Sequence, residues 1–188
     1  AYGSASLFYN TTGSFNSGFG SKSLYNNTIG SNNSAFGTNS LFSNTTGSDN
    51  SSFGKFSMEY NIDGIQNSAF GVVSLHSNTT GSYNNGMGAN SLYLNTTGSN
   101  NNAIGKSSLY FNTTGNGNVA MGTFSLFNNT TADNNTSIGN VSLYSNSTGY
   151  SNTGIGSNSL QSNTIGAGNT SIGSFSMTAN TTGQLNTV

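Results

Sequence analysis

His76 is the only histidine in the chain, and Glu59 precedes it by seventeen residues. If those seventeen residues make one structural turn, an imidazole lies over a carboxylate, a pairing able to exchange a proton or hold a metal. The equivalent positions elsewhere carry tyrosine, glutamine and threonine, no nucleophile is organised around the pair, and a surface ion pair worth under about 1 kcal/mol accounts for it. Gly105-Lys106-Ser107 has the ending of a phosphate loop, but the glycine required five residues before Gly105 is Asn100. Gly18-Phe19-Gly20 and Gly154-Ile155-Gly156 open like dinucleotide fingerprints, with no helix to follow. Asp49, Asp63 and Asp133 fall at different places of the repeat described below, whereas a calcium-binding β-roll needs aspartate in every coil. Three lysines without arginine make no stripe for phosphates. The expectation is a chain without catalytic, cofactor or metal residues and without a nucleic-acid partner: not an enzyme.

The element that positions these residues is a seventeen-residue unit repeated eleven times without insertion or deletion. Its copies run 2–18, 19–35, 36–52, 53–69, 70–86, 87–103, 104–120, 121–137, 138–154, 155–171 and 172–188, a single array over 2–188. Place one, always large and apolar, precedes an invariant glycine at place two (Gly3, Gly20, through Gly173), and serine always holds place five (Ser6 to Ser176). Place six is a core column of Leu7, Leu24, Leu41, Met58, Leu75, Leu92, Leu109, Leu126, Leu143, Leu160 and Met177. Place nine is always asparagine: Asn10, Asn27, Asn44, Asn61, Asn78, Asn95, Asn112, Asn129, Asn146, Asn163 and Asn180. So is place fifteen: Asn16, Asn33, Asn50, Asn67, Asn84, Asn101, Asn118, Asn135, Asn152, Asn169 and Asn186. Places three, four, eight and thirteen drift widely, so the constant columns are held by something physical.

Only 31% of the chain is hydrophobic and 4% charged, which argues against one thick core. Disordered chains of low hydrophobicity usually carry charge and proline, but this one has a net charge of -1 and no proline. Without proline no amide is lost from a continuous ladder. The absence of cysteine removes disulfides and thiolate metal sites and leaves the redox compartment open. No run is long enough to span a bilayer. Neither end departs from the repeat, so the chain reads as a piece of a longer fibre.

Seventeen residues are too few for a helical pair, which needs roughly twice that length. What remains is a parallel β-solenoid, or β-roll, whose unit holds two short extended stretches divided by turns. Glycine at place twelve is expected to supply positive φ at the Asn-Thr-Thr-Gly corner, with Ala132 the single exception and Asp133 or Asn134 taking over its conformation. Stacked coils put the asparagines about 4.8 Å apart, as amide ladders, in a rod roughly 50 Å long. Adjacent constant columns, Ser40 beside Leu41 and Phe36 beside Gly37, imply strands packed on both faces, one of them against a second chain. Place seven, aromatic at Phe8, Tyr25, Phe42, Tyr93, Tyr110, Phe127 and Tyr144 yet open to Glu59, His76, Gln161 and Thr178, belongs on a groove or outer face as a candidate binding column.

Place nine starts an N-glycosylation sequon in eight copies, but Asn27, Asn61 and Asn163 persist where Ile29, Asp63 and Ile165 abolish it, which favours the ladder. Further sequons at Asn32, Asn50, Asn134, Asn135 and Asn169 fit chance in such a composition. The place-ten threonines (Thr11, Thr28, Thr45, Thr79, Thr96, Thr113, Thr130, Thr164, Thr181) suggest either an ice-binding array or, since the threonine pair sits at a corner, hydroxyls that support the turn.

The tract Asn67-Ser68-Ala69-Phe70-Gly71 with Ser74, and Asn102-Ala103-Ile104-Gly105 with Ser108, resembles the head repeats of trimeric autotransporter adhesins of the YadA type and related repeats of bacteriophage tail fibres. The resemblance covers all eleven units, although the unit is longer than the usual head repeat and carries the extra Asn-Thr-Thr-Gly corner. It implies a left-handed homotrimeric β-roll and a role in adhesion or in presenting a distal tip to a surface receptor or glycan. The expected function is an extracellular structural fibre, on a cell surface or virion, that partners itself. Two alternatives are a secreted amyloid-like filament of stacked coils and a carbohydrate- or ice-binding repeat surface.

Overall fold

The computed structural model describes residues 1–188 and is an all-β parallel solenoid with no helix. Each strand is three residues long: β1 Ser17–Phe19, β2 Ser34–Phe36, β3 Ser51–Phe53, β4 Ser68–Phe70, β5 Asn85–Met87, β6 Asn102–Ile104, β7 Val119–Met121, β8 Thr136–Ile138, β9 Thr153–Ile155 and β10 Thr170–Ile172. They pair in chain order in one parallel ten-stranded sheet, and every residue faces its equivalent one unit later, as Phe36 faces Phe53. Isolated bridges, Tyr2 with Phe19 and Thr170 with Thr187, continue the ladder at both ends. Only 18 of 129 backbone hydrogen bonds lie within the strands, so the turns are laddered as thoroughly as the sheet. Leu41 N donates to Ser57 O at 3.1 Å, for example, and Asp49 N to Ser31 O at 3.0 Å.

The strands comprise places sixteen, seventeen and one. Pleating sends place seventeen inward and its two neighbours outward. The inward residue is glycine, alanine or serine throughout β1–β10 because little space remains: a Cβ on Gly86 would sit 2.6 Å from Ser74 Oγ. Opposite it runs the leucine column, fully buried from Leu24 to Leu160, with Leu7 and Met177 partly buried against it. The core is therefore a thin apolar thread one leucine wide.

Three expectations change. The second extended stretch, containing Ser40 and Leu41, is a run of turns rather than a strand. Places four and six both have left-handed backbone, with φ of 54° at Asn39 and 52° at Leu41. Side chains there do not alternate, and Ser40 and Leu41 are both fully buried inside the coil. Their constancy therefore requires no second chain.

The place-twelve glycines do not have positive φ; the glycines of place two do, at 139° in Gly37, where a Cβ would lie 2.7 Å from the carbonyl carbon of Gly54. Place twelve is glycine for lack of room: a Cβ on Gly98 would meet Gly115 O and Asn95 Oδ1, both at 2.5 Å.

Asn134 does have φ of 58°, but so does Asn32, and Asp49 and Asn100 have 59° and 60°. Place fourteen is left-handed in every unit, so nothing is taken over at Ala132. This also explains the recurrence of asparagine, aspartate and glycine there, residues that accept that conformation most readily.

Candidate functional site

The polar interior is built from the two asparagine columns. Asn44 Nδ2 donates to Asn27 Oδ1 at 2.7 Å and to its own coil's Gly47 O at 2.9 Å, using both amide hydrogens. Its Oδ1 accepts from Asn61 Nδ2 at 2.8 Å. Asn33, at place fifteen, reaches the same Gly47 carbonyl from the preceding coil at 2.8 Å, while its Oδ1 accepts the Asn50 backbone N–H at 3.0 Å. The two columns thus clamp the glycine corner between them. From Asn27 to Asn169 both are fully buried, where an amide must find every partner it needs. The end members remain in the ladder: Asn10 Oδ1 accepts from Asn27 Nδ2 at 2.7 Å, and Asn186 Nδ2 donates to Asn169 Oδ1 at 2.9 Å. Place-five serines close the coil from the other side: Ser142 Oγ donates to Gly154 O at 3.0 Å.

The threonines divide as the corner requires. Place-ten hydroxyls donate to the carbonyl one coil on, Thr28 Oγ1 to Thr45 O at 3.0 Å, whereas place-eleven threonines such as Thr80 and Thr97 are exposed. Place thirteen, which varies in type, supplies acceptors that sequence reasoning missed: Ser31 N donates to Ser48 Oγ at 3.0 Å.

Two apolar columns lie outside the core. Place seven is half-buried over most of its length, its rings stacked on one another, with Tyr25 and Phe42 centroids 5.2 Å apart at 2° and Phe127 and Tyr144 5.1 Å apart at 0°. Stacking covers the ring faces and leaves the edges to solvent. The neighbouring Tyr9 phenol, its ring edge-on at 5.1 Å, raises the Tyr25 phenol above its ordinary value. Place one lies on the outer face of the sheet, Phe36 and Phe53 stacked at 4.7 Å, and much of it is uncovered: Phe19 is 43% exposed, Met87 45% and Ile104 40%.

The structure brings Glu59 and His76 together, His76 Nε2 lying 3.0 Å from Glu59 Oε2. Asn39 Nδ2 donates to Glu59 Oε1 at 3.1 Å, the Tyr93 ring stacks on the imidazole at 5.0 Å, and the Tyr60 ring meets it edge-on at 5.0 Å. His76 Nδ1 is 3.4 Å from Ser77 Oγ, a neighbour that sequence reasoning did not place there. Serine, imidazole and carboxylate lie in series, with the serine contact at the long limit of a hydrogen bond. Locally the pair fills two steps of the place-seven stack. Asp49, Asp63 and Asp133 join no group of three potential metal ligands, and no helix is long and apolar enough to cross a membrane.

No family model, curated protein or solved structure matches the chain.

Proposed function

We propose that this chain is a non-catalytic shaft segment of an extracellular fibre, on a cell surface or virion, and that copies of it associate side by side through the place-one column. The uncovered sheet face carries this reading. Eleven large apolar side chains of roughly 200 Å² each, on average about two-fifths exposed, present on the order of 900 Å², close to the area each partner contributes to a standard stable interface. Apolar patches of that size on a soluble protein mark association surfaces. The same column runs unbroken from Tyr2 to Ile172, so two rods in register match along their whole length. The resemblance to autotransporter and tail-fibre repeats favours three chains, a left-handed coil and one coil for each of the eleven units. Such a shaft spaces an adhesive tip from its anchor, and the interlocked ladders supply the stiffness.

Light scattering on the soluble chain tests the association: a mass of three chains is expected, and a single-chain mass across the accessible concentration range overturns it. Electron microscopy distinguishes this from the filament reading, which requires end-to-end growth. Sugar stacking on the aromatic columns is disfavoured because their ring faces are already occupied. A second reading rests on the exposed place-eleven threonines, a hydroxyl and methyl column suited to ordering water that is broken at Ile29, Asp63 and Ile165; an ice-recrystallisation assay decides it, and no inhibition removes it.

A further inference from the structure

We infer that this chain acquires its fold in a compartment that lacks oligosaccharyltransferase, because glycosylation of its own sequons and formation of the solenoid exclude each other. Asn44, Asn78, Asn95, Asn112, Asn129 and Asn146 each begin an Asn-X-Thr sequon, and Asn50, Asn135 and Asn169 begin Asn-X-Ser sequons. All nine are fully buried. In the place-nine members both Nδ2 hydrogens are engaged, as at Asn112, which donates to Asn95 Oδ1 at 2.8 Å and to Gly115 O at 3.0 Å.

Glycan transfer forms an Nδ2–C1 bond, breaks the bond from sugar C1 to its lipid pyrophosphate, and releases one Nδ2 proton. One of the two donated bonds is then lost. A polar saccharide must also leave a site that has no path to solvent, in a ladder whose next rung lies one coil away. Transfer acts on the extended chain, before burial protects the acceptor, so a chain passing through such a compartment is modified first and then cannot stack. Asn26, Asn32, Asn128, Asn134 and Asn140 also begin sequons, but they lie partly or wholly at the surface, and a sugar there points outward. Those five are an internal control, modifiable without consequence. The inference does not depend on what the rod does, and it admits export after synthesis in a cytoplasm without this enzyme.

The test directs the full chain to the yeast endoplasmic reticulum and compares it with the chain made in a bacterial cytosol. The expected result is loss of secretion: a retained, protease-sensitive product with sugars mapped by mass spectrometry to the place-nine peptides. Two arms should restore a secreted, protease-resistant rod. One blocks synthesis of the lipid-linked sugar donor with tunicamycin. The other removes the closed sequons with isoleucine at place eleven of the eight sequon-bearing copies, as Ile29 and Ile165 already have, and with Ser52→Ala, Ser137→Ala and Ser171→Ala, as Ala35 and Ala69 already have. If the substituted chain fails to fold even in the bacterial cytosol, the tunicamycin arm decides. A secreted, protease-resistant wild-type rod bearing sugar on Asn44 or its equivalents overturns the inference, as does wild-type misfolding that persists under tunicamycin.

Discussion

At the scale of the residue, the constant columns fall under two different constraints. Place six is leucine or methionine because it must be apolar, fill a thread one side chain wide, and do so at φ near 50°. A β-branched side chain is poorly suited to that backbone. Val73 and Val141 occupy similar φ at place four, but there the side chain is half-buried and outside the core thread. Leu92→Met should therefore leave stability nearly unchanged, since Met58 already occupies the column, whereas Leu92→Ile should cost about 1 to 3 kcal/mol, more than its conserved volume predicts. Guanidinium unfolding midpoints measure both, and equal midpoints would mean the backbone is not the constraint. Leu92→Asp should be far worse, through lost burial of about 2 to 5 kcal/mol plus an unpaired charge, while Tyr93→Thr, one residue along and half-exposed, should do little. The asparagines obey the other constraint. Asn112→Ala leaves Asn95 Oδ1 without a donor and takes one of two partners from Asn129 Nδ2, while Gly115 O keeps Asn101 Nδ2, so at about 1 to 3 kcal/mol for each buried hydrogen-bonding site left open it should approach the loss of a core leucine.

At the scale of the coil, Ala132 tests the account of the glycine corner. In an ordinary junction three successive amides converge on one carbonyl, as Thr79, Thr80 and Gly81 donate to Thr96 O. Where the alanine methyl stands, only Thr130 donates to Ser147 O; the amides of Thr131 and Ala132 do not. Ala132→Gly should recover two bonds at about 1 kcal/mol each, against about 0.5 to 1 kcal/mol for the added freedom of glycine, a net gain of about 1 kcal/mol. Hydrogen exchange at Thr131 should slow in the variant, and unchanged exchange would show that the methyl is not what opens the junction.

This corner also marks how far the sequence can be read. The period, the in-register parallel stacking and the asparagine ladders follow from identity at fixed spacing, since like must lie on like. The reason for each glycine does not, because positive φ and lack of space leave the same letter. Nor did Ser40 beside Leu41 reveal turns: the rule of alternating faces assumes extended backbone, and left-handed residues at places four and six break it. The proximity of Ser77 to His76 was hidden for the same reason, as it depends on the local turn and not on the repeat.

At the scale of the whole molecule, bonds run along the rod while apolar surface is left along its side. Interior ladders connect only neighbouring coils, so they fix length and stiffness but contribute nothing to lateral association. The outer column is placed to do the opposite, since removing it from Phe36 or Met87 disturbs no ladder bond. If copies pair through that column, folding and association are linked, and the melting temperature should rise with protein concentration. Met87→Asp with Met121→Asp, two coils apart so that the new charges do not stack directly, should abolish that rise and reduce the mass to one chain. Exchange of the buried Asn95 and Asn112 amides should be unchanged relative to a wild-type sample dilute enough to be dissociated. Loss of the concentration dependence together with faster exchange at those amides would instead mean that the outer column supports the coil itself, and that the sheet face is a structural wall rather than an interface.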